Sequence, residues 1–220
     1  MKAIAIVSGG MDSVTLAHKL AAEGYGLHLL SFDYGQRHKK ELLFARICAR
    51  NLQACHDIIV FPRSFTRLLK GSALTDESIE VPEGEYDAPT MRLTVVPNRN
   101  AVMLSIAYAV ATAEGADIVA IGAHAGDHPI YPDCRPAFIE AFDKMQVIAT
   151  EGYGKARIYA PFIDMGKHEI VALGAELDVP YAETWSCYKG GDRHCGKCGT
   201  CVERKEAFAL AGVPDPTEYE

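Results

Sequence analysis

The apolar run from Lys2 to Val7 opens directly into Ser8-Gly9-Gly10-Met11-Asp12-Ser13, and helical spacing takes over at once. Val14, Leu16, Ala17, Leu20 and Ala21 recur at the helix period to about Glu23, where Gly24 stops the helix. The alternation continues, with Gly26 to Phe32 as a second strand, Lys39 to Asn51 as a second helix and His56 to Phe61 as a third strand. Strands alternating with helices predict a three-layer fold, a parallel sheet with helices on both faces.

Lys70 to Pro97 breaks the pattern. Gly71, Pro82, Gly84, Pro89 and Pro97 fall in it with few apolar runs, so a long irregular connection is expected, of the kind that is usually functional or mobile. Helix resumes from Asn100 to Glu114, Asp117 to Ile121 reads as a strand ending in Gly122, and helices follow at Asp133 to about Thr150 and Gly166 to Leu177. A short helix from Val202 closes the chain.

No linker divides the 220 residues, and one domain over 1–220 is expected, with a metal-binding segment at about 185–202. The apolar runs are too short to cross a bilayer. Met1 to Val7 lacks the long apolar stretch and small-residue cleavage site of a signal peptide and reads as a buried strand, so a cytoplasmic location is expected. A net charge of −7 is a poor match for phosphate backbones. A local basic patch would escape that argument, but small-molecule substrates fit better than a stable nucleic-acid partner.

The glycine loop carries the first chemistry. Gly9 and Gly10 allow close backbone approach with several N–H groups aimed one way, the following helix adds its positive end, and Ser8 and Ser13 offer hydroxyls. Such a site suits a pyrophosphate. Asp12 repels phosphate but suits a magnesium ion bridging phosphates. An ordinary turn capped by Asp12 or Ser13 has the same letters; the placement between strand and helix favours the ligand site. Neither a Gly-Lys-Ser/Thr ending nor a Gly-x-Gly-x-x-Gly string is present. The string resembles the PP-loop of N-type ATP pyrophosphatases, which cleave ATP between the α- and β-phosphates to activate an oxygen by adenylation.

Seven cysteines without a secretory signal argue against a disulfide framework. Cys187, Cys195, Cys198 and Cys201 form Cys-x7-Cys-x2-Cys-x2-Cys, four thiolates with Gly196 and Gly199 between the last three. Four protein ligands suit a closed structural zinc and leave no open position for catalysis. Spacing alone leaves an iron–sulfur cluster open, and His194 could replace one cysteine. Cys48, Cys55 and Cys134 are scattered; Cys134 could be a nucleophile, but a lone cysteine without a supporting base is more often inert.

Three segments fall where loops at strand ends line a ligand crevice. In Phe32-Asp33-Tyr34-Gly35-Gln36-Arg37-His38, Arg37 and His38 could serve phosphates or adenine. In Val96-Pro97-Asn98-Arg99-Asn100, Arg99 could clamp an anion. In Gly122 to Pro136, Asp127 and Asp133 could read ring N–H groups of a purine-like substrate while Arg135 meets a carboxylate. Lys167 stands as a candidate near the phosphates, or as a solvated helix start.

Together these stretches are similar, in order and over nearly the whole chain, to the 7-cyano-7-deazaguanine synthase family of queuosine biosynthesis. The matching strings are Ser8-Gly9-Gly10-x-Asp12-Ser13, Phe32 to His38, Val96 to Asn100, Tyr131-Pro132-Asp133-Cys134-Arg135 and Cys187-Tyr188 with Cys195-Gly196-x-Cys198-x-x-Cys201. The resemblance implies an adenine nucleotide alpha hydrolase-like, Rossmann-like fold. It implies ATP- and Mg²⁺-dependent conversion of 7-carboxy-7-deazaguanine and ammonia to the nitrile, through an adenylated carboxylate, an amide and a second adenylation. One Zn²⁺ and a homodimer are also implied. Nucleotide contacts then fall on Val7, Ser8, Gly9, Gly10, Met11, Asp12, Ser13, Val14, Gln36, Arg37 and His38, catalysis on Asp12, Ser13, Arg99 and Lys167, substrate contacts on Asp127, Tyr131, Asp133 and Arg135, and metal on Cys187, Cys195, Cys198 and Cys201. Met11 stands at a position often filled by Gln, and Gly126-Asp127-His128-Pro129-Ile130 departs from some members' version. Joining the activated acid to a protein amine, modifying tRNA directly, or acting only as a zinc-binding interaction module are the competing readings.

Overall fold

The computed structural model describes residues 1–86 and 89–220. Five strands, β1 (Lys2–Ile6), β2 (Gly26–Asp33), β3 (Cys55–Val60), β4 (Ile118–Ala120) and β5 (Arg157–Tyr159), form one sheet in the order β3-β2-β1-β4-β5. Every pairing is parallel. The chain winds outward from β1 to β3, then returns to β1's other side for β4 and β5. The order therefore reverses between β1 and β4, which opens a crevice at their carboxyl ends.

Among the described residues seven α-helices accompany the sheet: α1 (Met11–Ala22), α2 (Glu41–Asn51), α3 (Arg63–Thr66), α4 (Arg99–Glu114), α5 (Pro136–Ala149), α6 (Lys167–Glu176) and α7 (Gly199–Ala211). β1 shows why both sheet faces are covered. Ala3, Ala5 and Val7 pack into a core with α1, α2, α6 and α7, while Ile4, two-residue periodicity apart, packs with α4 and α5 on the other face.

The expected strands and helices occur within a few residues of their anticipated bounds. Features not anticipated include β5, α3 and 3₁₀ turns at Ala125–Asp127 and Tyr181–Glu183. The last helix is longer than a short one from Val202, beginning at Gly199 inside the cysteine cluster. The expected irregular segment, Lys70 to Pro97, contains a 3₁₀ helix at Pro89–Thr94, and residues 87 and 88 of it lie outside the described residues. Its flanks are anchored: Ala73 N–H donates to Leu93 C=O, and Gly84 N–H donates 3.0 Å to Lys197 C=O. That connection therefore ties the sheet to the C-terminal segment.

Candidate functional site

At the switch point the chain leaves β1 through Ser8, Gly9 and Gly10 and enters α1. Gly9 has φ +95°, and a Cβ there would lie 2.1 Å from Glu41 O and 2.7 Å from Ala45 N, so α2 packs where any side chain would stand. Trp185 N–H donates 2.9 Å to Gly9 C=O and pins the loop from the other side. The Ser13 hydroxyl donates 3.0 Å to Gly10 C=O and accepts from the N–H groups of Ser8 and Gly9 at 3.2 and 3.3 Å. The helix N-cap is Gly10, with no side-chain cap, so the first-turn amides of α1 keep their donors and positive dipole for a ligand.

Beside the loop lies a cavity of about 210 Å³, lined among others by Val7, Ser8, Gly10, Met11, Asp12, Ser13, His38, Arg99, Asp127, Tyr131 and Lys167. At its phosphate-loop end, charged groups crowd together. Lys167 Nζ stands 3.3 Å from Asp12 Oδ2 and forms a short ion pair with Glu203 Oε2. Its side chain is 11% exposed, so it is enclosed rather than a solvated helix start. Burial alone would lower the Lys167 ammonium, but Asp12, Glu203 and Asp127 outweigh it and hold its pKa above the ordinary lysine range. Buried His124 accepts at Nδ1 from Gly126 N–H (3.1 Å) and turns Nε2 toward Asp12 and Asp127 at 3.7 and 3.6 Å. Tyr86 donates 3.1 Å to Asp127 Oδ1.

Asp12 Oδ1 is buried without a hydrogen-bond partner. A buried carboxylate oxygen left bare is costly, and a divalent cation would satisfy it. Asp12, with Asp127 nearby, therefore fits a hard cation such as Mg²⁺.

The other end is built differently. Arg99 begins α4 and donates from Nη1 to Tyr34 Oη at 3.1 Å. A cation at a helix N-terminus opposes the dipole, so both Arg99 on α4 and Lys167 on α6 make their helix starts unusually attractive to anions. Tyr131 Oη lies 2.6 Å from Thr94 Oγ1 and 3.4 Å from Tyr188 Oη. Burial pushes Tyr34 up to about 12 and Tyr86, Tyr131 and Tyr188 above the ordinary tyrosine value, so all four stay phenols. His38 packs on the Tyr188 ring, and burial with Arg99 and Arg37 nearby lowers it to about 3. Burial pushes Glu41 up to about 7, although the Gln36 amide donates to it at 2.9 Å.

The structure does not bring all the anticipated residues into the cavity wall. Gln36 is fully buried, bonding Phe32 C=O, Glu41 and Tyr34 N–H within the turn. Arg37 donates to Asp76 C=O and Ile79 C=O at 2.8 and 2.9 Å, holding the long connection. Asp133 accepts from Asn100 N–H at 3.0 Å and fixes the start of α4. Arg135 is exposed and donates to His128 C=O at 2.8 Å. Val14 is in the core, and Gly9 packs against α2 behind the loop. Cys134 reaches the cavity, but burial pushes its thiol far up and Asn100 Nδ2 contacts its sulfur at 3.2 Å, the environment of an inert thiol.

Sequence reading missed Glu203, Glu41 and His124 as site residues. His124 lies in a segment already singled out. Glu203 follows Cys201 by two positions, about 200° around the helix, so a helix starting at Gly199 sends one toward the cysteines and the other toward Lys167. Glu41 has no such signal, since Lys39-Lys40-Glu41 reads as a solvated helix start.

The Sγ atoms of Cys187, Cys195, Cys198 and Cys201 all lie within 4.8 Å of one another and all four residues are buried. The N–H groups of Lys197 and Cys198 point at Cys195 Sγ (3.4 and 3.3 Å), and Thr200 Oγ1 lies 3.4 Å from Cys198 Sγ. Hydrogen bonds from the Cys187 and Cys201 thiols, helped by Thr200, hold Cys198 far below the usual thiol range. Four converging sulfurs with donors around them fit a tetrahedral thiophilic ion. His194 is not needed, because its Nε2 accepts from Ser186 N–H at 3.0 Å. The cluster also shapes the cavity: Trp185, Ser186, Tyr188 and Thr200, its immediate neighbours in sequence, line the wall.

This architecture is that of an α/β enzyme with a glycine loop at the switch point of a parallel sheet. The chain belongs to the family described as queuosine biosynthesis protein QueC, whose model matches residues 2–212. Relatives named 7-cyano-7-deazaguanine synthase share 64% identity over 220 residues in Rhizobium meliloti (strain 1021), covering 100% of this chain and 92% of that protein. In Sinorhizobium fredii (strain NBRC 101917 / NGR234) the figures are 61%, 100% and 92%. Among solved structures, NMN synthetase from Francisella tularensis matches with a TM-score of 0.55 at 18% identity, over 97% of this chain and 78% of that one, a likeness of fold.

Proposed function

We propose that the protein converts 7-carboxy-7-deazaguanine and ammonia to 7-cyano-7-deazaguanine at the expense of ATP; the name of its relatives gives the product. The observation that carries the nucleotide half is the uncapped glycine loop beside Asp12 with its bare buried oxygen. A carboxylate resists ammonia because its oxygen leaves poorly, and transfer of AMP to that oxygen makes a good leaving group. The chain's contribution is to align the reactants and balance phosphate charge. The first-turn amides of Met11, Asp12 and Ser13 would hold phosphate oxygens, Lys167 and Arg99 supply positive charge from two helix starts, and Asp12 with Asp127 would hold Mg²⁺. That ion supplies charge neutralisation to the phosphates when bound.

Each adenylation breaks the α–β phosphate bond of one ATP and releases pyrophosphate. Displacement of AMP by ammonia, with loss of a proton, gives the amide, and a second adenylation on the amide oxygen followed by loss of AMP and the remaining nitrogen-bound protons gives the nitrile. The tyrosine-lined end, with Tyr34, Tyr131 and Tyr188 as neutral phenols, suits the flat deazaguanine ring and can exclude water from the activated acyl group. Zn²⁺ on the four cysteines serves structure. With the reading go a homodimer and a cytoplasmic location, as the family resemblance implies. Among the described residues no helix is long and apolar enough to cross a membrane.

Mass spectrometry of the protein incubated with 7-carboxy-7-deazaguanine, ATP, Mg²⁺ and ammonium tests it. AMP, pyrophosphate and the nitrile are expected together, and without ammonia the reaction should stop at the acyl adenylate, with pyrophosphate released and AMP retained on the acid. ADP as product, or no dependence on the deazaguanine acid, overturns the reading.

A further inference from the structure

We infer that Glu203 is a positioning residue that holds Lys167 at the phosphate end of the cavity, an inference that rests on the phosphate-loop reading above. Lysine has a long flexible stem, and an ammonium useful to phosphate must be held in place without being neutralised by its holder. Lys167 Nζ is gripped from two sides, by Asp12 Oδ2 at 3.3 Å and by Glu203 Oε2, and stands 5.4 Å over the Tyr86 ring. Asp12 also offers its bare Oδ1 to a cation. Asp12 cannot give its full charge to both, so Glu203 is the partner left to the ammonium when a cation takes Asp12.

The surroundings of Glu203 are built to fix it. Its side chain is 12% exposed. A Cβ added at Gly126 would fall 3.1 Å from Glu203 Oε1 and 3.0 Å from the His124 ring, so the loop after β4 packs tightly against the carboxylate. Glu203 sits on α7 between Cys201, in the metal-binding cluster, and Arg204, which is fully buried and donates to Thr184, Ser186 and Tyr181. A helix so anchored on both sides of one residue is a rigid mount for it. The cysteine cluster thereby reaches the phosphate end of the cavity through two positions of one helix.

A double-mutant cycle tests this, with Glu203→Gln, Lys167→Met and the pair. Two quantities are read: kcat for AMP formation, and the Kd for ATP with Mg²⁺ by calorimetry. Glu203→Gln keeps the side chain's shape, so metal content and Tm should match the wild type. Its kcat should fall about 10- to 100-fold, the scale of an ångström-level misplacement. ATP affinity should be unchanged or tighter, because a negative charge has left the phosphate end. In the Lys167→Met background the same change should alter kcat less than about twofold, because the residue it acts through is gone. Equal losses in both backgrounds, an unchanged kcat, or ATP affinity falling in step with kcat would overturn the role of Glu203. A wild-type protein that neither binds ATP nor forms AMP would instead bring down the phosphate-loop reading, and this inference with it.

Discussion

The glycine loop after β1 and the C-terminal segment meet at one cavity but treat their polar groups in opposite ways. Around Cys187 to Arg204 buried polar atoms find fixed partners within the chain. Arg204 is fully buried, and its donors reach Asp215, Thr184, Ser186 and the Tyr181 carbonyl at 2.8 to 3.2 Å. At the loop the helix start has no cap, Asp12 Oδ1 is bare, and Lys167 is shared among carboxylates that outnumber it. Satisfied buried groups rigidify, whereas unsatisfied ones are held ready for something not part of the chain. Removing a group from the first region should therefore cost stability, and from the second activity.

Asp12→Ala gives that contrast its hardest test. Turnover should fall about 1000-fold or more, equivalent to about 4 kcal/mol of transition-state stabilisation. The Tm should stay level or rise, since a buried oxygen without a partner is removed. A variant that keeps its activity, or loses it only by unfolding, breaks the contrast. Cys198→Ser is its mirror. Metal content measured by atomic emission should drop, and stability should fall by about 3 kcal/mol, a Tm loss of about 10 °C in a chain of this size. Some activity should survive at low temperature, because no cysteine of the cluster need touch substrate. Full metal content with an unshifted Tm would remove the four-thiolate site.

How much of this was legible in the sequence follows the same divide. The sheet, its parallel order and the loop could be read because each rests on local signals: apolar runs, helical spacing, glycines between them. The cysteines could be read because their spacing is itself the signal. Strand β5 escaped because Arg157-Ile158-Tyr159 is only three residues long and is defined by pairing with β4. Glu203 and Glu41 escaped because their roles depend on burial, and a glutamate in a charged stretch looks solvated until the fold encloses it. Asp133 and Arg135 show the converse, polar residues that sequence alone cannot aim. Their stretch is rich in polar residues and contributes Tyr131 and Cys134 to the wall, yet these two side chains turn to α4 and to the His128 carbonyl.

Glu41 sits on the seam between the two regions and sharpens the comparison by a smaller effect. One of its oxygens accepts from Gln36, as a structural group's would, but the residue lines the cavity and burial lifts it to about 7 from an ordinary 4.5. The folded protein then holds more protons than the unfolded chain between pH 4.5 and about 7, so the stability from protonated Glu41 is full below pH 4.5 and is lost as pH rises to about 7. His38 works the other way, because burial lowers it from 6.5 to about 3, and stability falls as pH falls through that window. The two slopes oppose each other in the wild type and partly cancel. His38 Nε2 lies 3.5 Å from Glu41 Oε2. Glu41 is protonated below about pH 7, however, so Gln replaces it there with a group of the same charge and the His38 slope should change little. The variant's stability by urea unfolding, relative to wild type, should therefore climb between pH 4.5 and 7, by about 2 kcal/mol. A difference that stays flat across this range would show that Glu41 is ionised in the folded protein, and would move it from the seam to the satisfied side.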